Sequence, residues 1–293
     1  MNKDYCEICG SSARTIAYFG QIRDGAYGNT TKEPQEVCSC SGCGVFRLDA
    51  PALEYADGQY RENYQHVDPN EYYRNYFNAM PLSAYSGKTM LDIGAGDGTF
   101  IMAMDKYAQE VFAVEPNDEQ RASLKREGIK TYQSVSEAAD NLAGKIDVVT
   151  CFSVIEHVKN PRELLQQAAG LLHKDSVLVL STPNRKDIHM GLIPLDYAPF
   201  FYRTAHRWYF DAESLEKCLN FSGLNCSKIA FAHRFGIENT FKWLHDRVPG
   251  KEGLGAFGAE ERIVADTFWV DFLESIGRSD YIYAHAELIH ENA

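Results

Sequence analysis

From Lys88 onward the chain alternates between two hydrophobic rhythms. Short apolar runs rich in Val, Ile and Leu, as buried strands require, are separated by stretches whose apolar residues return every three or four positions. The runs predict strands over Thr89–Ile93, Glu110–Glu115, Ile129–Tyr132, Ile146–Phe152 and Ser176–Ser181. The amphipathic stretches predict helices over Thr99–Ala108, Asn117–Glu127, Val135–Ala143 and Pro161–Leu172. After a long loop, Asn184–Asp211, come a helix at Ala212–Ser222, a strand at Asn225–Ala232, a helical insertion over 234–278 and a last strand at Tyr281–Ile289. Strand–helix alternation with short connections implies an α/β fold: a seven-stranded, mostly parallel sheet with helices on both faces.

The first 86 residues follow neither rhythm. Residues 1–50 hold two matched pairs, Cys6-Glu7-Ile8-Cys9 and Cys40-Ser41-Gly42-Cys43. Tetrahedral zinc needs four thiolates delivered from two tight turns, and this spacing supplies them. Gly10 and Gly44 follow each pair, where the backbone must relax through positive φ. Arg14–Phe19 and Glu36–Cys38 are short strand candidates, so the unit reads as a small zinc-ribbon-like module whose metal provides much of its folding energy. Cys38 is ambiguous, because it competes with Cys40 for a ligand position. Residues 51–86 form a connector rich in tyrosine (Tyr55, Tyr60, Tyr64, Tyr72, Tyr73, Tyr76 and Tyr85), with a helix expected over Asn70–Met80 after Pro69. The connector could cover the site of the large domain, 87–293.

Composition narrows the function. The net charge is −12 over 293 residues and no Lys/Arg-rich segment is present, which argues against nucleic acid as the partner. No apolar run approaches the roughly 20 residues that span a bilayer, and the polar first ten residues do not read as a targeting signal. A cytoplasmic protein is expected, monomeric or homodimeric, with no membrane partner.

The stretch Leu91-Asp92-Ile93-Gly94-Ala95-Gly96-Asp97-Gly98-Thr99-Phe100 ends a strand and opens a helix, the context a nucleotide-binding glycine loop needs. The pattern is GxGxG, so a pyrophosphate-cradling dinucleotide loop is the second reading. Glu115 ends the next strand about 20 residues further on, where a carboxylate can accept hydrogen bonds from both ribose hydroxyls.

With these residues in view, 88–183 resembles the class I S-adenosylmethionine (SAM)-dependent methyltransferases, a Rossmann-like fold. Asp92-x-Gly94-x-Gly96-x-Gly98 matches their first motif and Glu115 their ribose-binding acid. The segment Asp147–Val158 and the turn Ser181-Thr182-Pro183-Asn184 match the small-molecule branch, and His206-Arg207-Trp208-Tyr209-Phe210-Asp211 matches loosely. The resemblance implies that Gly94, Ala95, Gly96 and Gly98 face SAM, that Asp92 steadies the loop or reaches the amino group through water, and that Glu115, followed by Pro116, holds the ribose. It also implies that Ser134 or Val135 borders adenine and that Phe152 and Ser153 lie beneath the transferred methyl. A zinc-ribbon module joined to such a domain resembles sugar and nucleotide-sugar methyltransferases of polysaccharide or antibiotic pathways. Related C-methylating enzymes carry a further C-terminal domain, so O-methylation of a sugar-like small molecule is the expected activity.

A hydroxyl acceptor must lose its proton near the transition state, and a positioned base contributes roughly 10²–10⁴-fold. His157, at the carboxyl end of its strand, is the first candidate, with Glu156 to orient it or stabilise the imidazolium. His206 in the loop Asn184–Asp211 is the second, and that loop is expected to form the acceptor pocket. Three alternatives remain: an RNA methyltransferase that grips nucleic acid through the zinc module, a sugar C-methyltransferase, and a SAM-binding protein without turnover. The missing Asn/Asp-Pro-Pro-Tyr/Phe motif, replaced here by Phe152-Ser153-Val154-Ile155, counts against base N-methylation.

Overall fold

Two sheets organise the computed structural model, which describes residues 5–25, 28–50, 80–248 and 255–289. The helix expected over Asn70–Met80 and all of the tyrosine-rich connector up to residue 79 lie outside the described residues.

In chain order the elements are β1 (Arg14–Gly20), β2 (Gln35–Cys40), β3 (Phe46–Leu48), β4 (Thr89–Ile93), α1 (Thr99–Met104), β5 (Glu110–Val114), α2 (Asp118–Arg126), β6 (Lys130–Tyr132), α3 (Val135–Leu142), β7 (Ile146–Phe152) and α4 (Pro161–Ala169). There follow β8 (Leu172–Pro183), α5 (Ile188–Leu192), α6 (Pro194–Phe201), β9 (Trp208–Tyr209), α7 (Ala212–Phe221), β10 (Leu224–Ala232), α8 (Ile237–Asp246), α9 (Ala259–Ser275) and β11 (Tyr281–Leu288).

The seven-stranded sheet has the order β10-β11-β8-β7-β4-β5-β6. Strands β4 to β8 pair in parallel, and β11 runs antiparallel between β8 and β10. The chain starts in the middle at β4, moves out to β6 and returns to β7. The carboxyl ends of β4 and β7 therefore form the topological switch point where such sheets hold ligands. Central strands are apolar on both faces because helices cover both. Leu91, Val149, Leu178 and Ile282 pack in one core and Met90, Val111, Val148 and Tyr283 in the other. Local chemistry sets the helix starts: Asn117, Ser134, Asn160 and Asp211 each accept a backbone N–H as N-cap.

The second sheet corrects the sequence reading of a long loop. Its order is β1-β2-β3-β9, so its last strand comes from Trp208–Tyr209. The stretch 184–211 is not irregular: it carries α5, α6 and β9. Its Tyr197, Phe201, Tyr202 and Tyr209 are buried against Ile22, Val37 and Leu48 of the N-terminal unit, forming a third core. Four aromatic rings do not stay solvated in a loop when a sheet face lies beside them. The insertion over 234–278 contains the helices α8 and α9. Strand β8 is longer than expected because Leu172 already pairs with Ile146, ahead of a register irregularity.

Candidate functional site

The glycine loop leaves β4 and enters α1. Gly94, Gly96 and Gly98 have φ of 77°, 63° and 82°. A Cβ on Gly94 would stand 2.4 Å from Val154 Cγ2, and one on Gly98 2.2 Å from Leu124 Cδ2. Glycine is required here both by the sign of φ and by the neighbours. The backbone N–H groups of Gly94 and Ala95 donate to the Val114 carbonyl at 2.8 and 3.2 Å.

Glu115, buried just beyond β5, accepts from Gly96 N–H at 2.7 Å through Oε2 and from Asn117 N–H at 2.9 Å through Oε1. A carboxylate has about four acceptor positions, so it can serve the loop and a pair of ribose hydroxyls together. The carbonyls of Glu115 and Pro116 take hydrogen bonds from Arg121 at 2.7 and 3.0 Å. A cradle closed to any Cβ, with a buried carboxylate tied to it, fits a nucleoside cofactor such as SAM.

Asp92 sits deeper than the loop. It accepts from Thr150 Oγ1 at 2.7 Å and so braces β4 against β7. Burial pushes its carboxyl up to about 7 against that bond, and the Glu115 charge adds to the rise. Ser134 caps α3 by accepting from Glu137 N–H at 3.1 Å, while the Val135 side chain is buried in the core. Phe152 packs edge-on to Phe100 at 5.2 Å and to Tyr283 at 6.3 Å. Ser153 has φ 54°, a left-handed conformation that costs a residue with a Cβ roughly 1–3 kcal/mol.

Beyond Ser153 the chain is clamped to the stretch before β9. The N–H groups of Arg207 and Trp208 both donate to the Glu156 carbonyl, at 2.8 and 3.1 Å. Trp208 Nε1 donates to the Val158 carbonyl at 2.8 Å. His157 Nδ1 lies 2.7 Å from the Ala205 carbonyl. A carbonyl only accepts, so Nδ1 carries the proton and Nε2 is the basic nitrogen.

The Ala205 carbonyl thus orients the imidazole, which leaves to Glu156 the other of its two expected roles, stabilising the imidazolium. Glu156 Oε1 stands 4.0 Å from His157 Nε2, and Oε2 accepts from Thr182 Oγ1 at 3.1 Å. Burial pushes Glu156 up to about 7, opposed by hydrogen bonds and by Arg203. His206 packs edge-on to His157 at 4.7 Å. Burial, then the charges of Arg203 and His157, hold His206 well below the usual imidazole range, which keeps it neutral. Glu156, His157 and His206 are therefore one cluster, with donor atoms within 4.8 Å of one another.

The four paired cysteines also converge. Their sulfurs lie within 4.8 Å of one another, Cys6 to Cys43 at 3.8 Å and Cys9 to Cys40 at 3.5 Å. Four sulfurs at about 2.3 Å from a tetrahedral ion stand about 3.8 Å apart, so the set fits such an ion. The hydrogen bond with Cys43 pulls Cys6 down to about 5 despite burial. Cys38 is not part of the group: its thiol donates to Glu36 Oε1 at 3.1 Å. Between Cys6 and Cys9, Glu7 accepts from Arg47 at 2.6 Å and from Arg207 at 2.5 Å. The Cys knuckle is thereby tied to the residue after His206.

Two residues at this edge escaped the sequence reading, Tyr281 and Arg234. Tyr281 opens β11, and because β11 runs antiparallel its first residue reaches the carboxyl edge of the parallel strands, beside Pro183. Its Oη is 3.2 Å from Ser153 Oγ. Arg234 follows β10 and lies over the Tyr281 ring at 4.2 Å. The available signal was the reversed direction of the last strand, which turns its entry, not its exit, toward the site.

Residues 60–229, more than half of the chain, match the family model described as methyltransferase domain. Among curated relatives, the ubiquinone biosynthesis O-methyltransferase of Erwinia tasmaniensis is 32% identical over 120 residues, covering 38% of this chain and 49% of the relative. That of Actinobacillus pleuropneumoniae is 29% identical over 179 residues, covering 55% and 76%. The chain thus spans from about half to three-quarters of the length of these relatives. Among solved structures, a SAM-dependent methyltransferase from Archaeoglobus fulgidus aligns with TM-score 0.52 at 18% identity, covering 78% of this chain and 97% of that one. A chain of the complex between the Haloferax volcanii Trm112 methyltransferase activator and a methyltransferase aligns with TM-score 0.54 at 11% identity, covering 80% and 96%. At these identities the two structures speak for the shared fold.

Proposed function

The chain belongs to the methyltransferase-domain family, and from that premise we propose that it methylates a hydroxyl of a small molecule, a sugar or nucleotide-sugar intermediate of polysaccharide type, with His157 as general base. The observation that carries this reading is the 2.7 Å contact between His157 Nδ1 and the Ala205 carbonyl, which leaves Nε2 basic at the carboxyl end of β7. When bound, SAM supplies a methyl group on a sulfonium, already an excellent leaving group.

The protein's own work is then alignment and proton transfer. Gly94, Ala95, Gly96, Gly98 and Glu115, followed by Pro116, hold the donor, with Ser134 or Val135 at the adenine end and Phe152 and Ser153 beneath the methyl. His157 Nε2 takes the acceptor's proton as the oxygen attacks. Glu156, buried at 4.0 Å, stabilises the imidazolium that forms, and neutral His206 packs the ring in place. Alignment in such a site contributes roughly 7–11 kcal/mol and the base roughly 10²–10⁴-fold.

The curated relatives are named for O-methylation in ubiquinone biosynthesis, which supports oxygen as the acceptor atom and makes a phenol the rival to a sugar. The sugar reading rests on the resemblance of the Cys-rich N-terminal unit joined to this domain. Cys6, Cys9, Cys40 and Cys43 hold one structural zinc, and residues 1–50 with 184–211 choose the acceptor.

Incubation with labelled SAM and a panel of nucleotide sugars, neutral phenols and total RNA tests this. Label in a sugar is the expected result; label confined to RNA sinks the proposal, and label confined to phenols replaces the acceptor. Elemental analysis should find one zinc per chain, and a protein without zinc removes the metal assignment.

A further inference from the structure

The carboxyl edge of the large sheet has two ends. The glycine loop and Glu115 lie over β4 and β5, whereas Ser153, Tyr281 and Arg234 line up over β7, β11 and the end of β10.

At this second end Arg234 is held from three sides. Its Nε donates to Asp280 Oδ2 at 2.6 Å and its backbone N–H to Oδ1 at 3.0 Å. Its guanidinium carbon lies 4.2 Å from the Tyr281 ring centroid and 5.4 Å from that of Phe235. Asp280 is itself buried and anchored: its N–H donates to His233 Nδ1 at 3.2 Å, and its carbonyl accepts from Asn184 N–H at 2.9 Å. Burial alone would raise the Asp280 carboxyl, but Arg234 and His233 outweigh it and keep it ionised far below neutral pH.

These contacts fix the plane of the guanidinium and use one of its edges. The residue is exposed, and its two terminal nitrogens make no hydrogen bond among the described residues. The Tyr281 ring under this guanidinium carries a hydroxyl 3.2 Å from that of the strained Ser153.

We propose that Arg234 is an oxyanion site: its open edge binds a carboxylate or phosphate of the methyl acceptor, with Tyr281 and Ser153 bonding the neighbouring hydroxyls. The acceptor is therefore an anionic hydroxyl compound. Asp280 cancels most of the local charge, so recognition comes from the paired, planar N–H donors that match an oxyanion in two places. This rests on the reading that the acceptor lies over this edge of the sheet, and it extends that reading from the reacting hydroxyl to a second anchoring group.

The test is calorimetric binding to the full chain loaded with S-adenosylhomocysteine, using glucose 1-phosphate, glucuronate and neutral methyl glucoside as probes. At least one anionic probe should bind 10-fold or more tighter than the neutral one, and the two anionic arms separate phosphate from carboxylate. Arg234→Gln should erase that preference while S-adenosylhomocysteine affinity stays within twofold. Because Arg234→Gln strands Asp280, Arg234→Lys provides a second arm: it keeps the ion pair, loses the fork and should lose most of the preference. Equal binding of all three probes, or an anion preference that survives both substitutions, overturns the proposal. The readout is binding, so anion preference without methyl transfer to any sugar would refute the proposed reaction and leave this site standing.

Discussion

The strands from β4 to β7 and the four-stranded N-terminal sheet are built on opposite plans. In the first, each strand pairs with a neighbour reached through a single helix, or through the return from β6 to β7, and the ligand loop is the direct continuation of β4. In the second, β3 pairs with β9, and Glu7 meets Arg207 across 200 residues of sequence. The first half builds the proposed donor site from local geometry. The second is assembled from distant pieces, joined to the Glu156, His157 and His206 cluster through the Glu156 carbonyl and the Ala205 carbonyl. The comparison teaches that donor binding and acceptor chemistry should be separable by mutation.

The largest effect should come from His157→Gln. It is expected to lower kcat by about 10²–10⁴-fold while SAM affinity, measured by calorimetry, stays within twofold. A matching loss of SAM affinity would mean that the two halves are one site.

Gly94→Ala tests the other half. The added Cβ meets Val154 Cγ2 at 2.4 Å in a backbone of φ 77°, at a cost of about 1–3 kcal/mol. SAM affinity should fall by about 10–100-fold, with acceptor binding preserved. Unchanged SAM affinity would remove the loop from the donor site.

Glu7→Gln should act more weakly, because the carboxylate is part-exposed between Arg47 and Arg207. Loss of one charge-assisted bridge, about 1–2 kcal/mol, should raise acceptor KM several-fold with SAM affinity unchanged. An effect on SAM affinity equal to that on the acceptor would erase the distinction.

The smallest effect is a slope. Burial raises Glu156 to about 7 in the folded chain, from 4.5 in the unfolded one. Between these values the folded state binds more protons than the unfolded state, so the contribution of Glu156 is complete below about 4.5 and is lost as pH rises to about 7. Glu156→Gln should flatten the melting temperature across that window. An unaltered slope would mean that Glu156 is not the group titrating there.

Legibility followed the same division. Strands Thr89–Ile93 and Ile146–Phe152 could be read directly, because a doubly buried strand is apolar over most of its length, and a glycine loop follows the first of them. The pairing of Glu115 with that loop was legible as position, though its bond to Gly96 N–H was not. The stretch 184–211 was misread because its order comes from the N-terminal sheet, and no local period announces a partner more than 150 residues away. Arg234 and Tyr281 were invisible for a related reason: their place at the edge depends on the direction of β11, which is a property of the sheet and not of the segment. The four cysteines were legible in spacing, but the distinction between Cys38 and Cys40 was not: both lie two apart in β2, and only the partners tell them apart, Glu36 for Cys38 and Cys9 for Cys40.

Strand β9, two residues long, also sets a schedule for synthesis. The first fifty residues leave the ribosome long before Trp208 and Tyr209 exist, at about 5–20 residues per second. For that interval β3 is an open edge, a template for pairing with other chains. A metal held by Cys6, Cys9, Cys40 and Cys43 would staple the nascent unit through this wait, and a cell short of that metal would first lose newly made chains to aggregation, while chains already folded kept working.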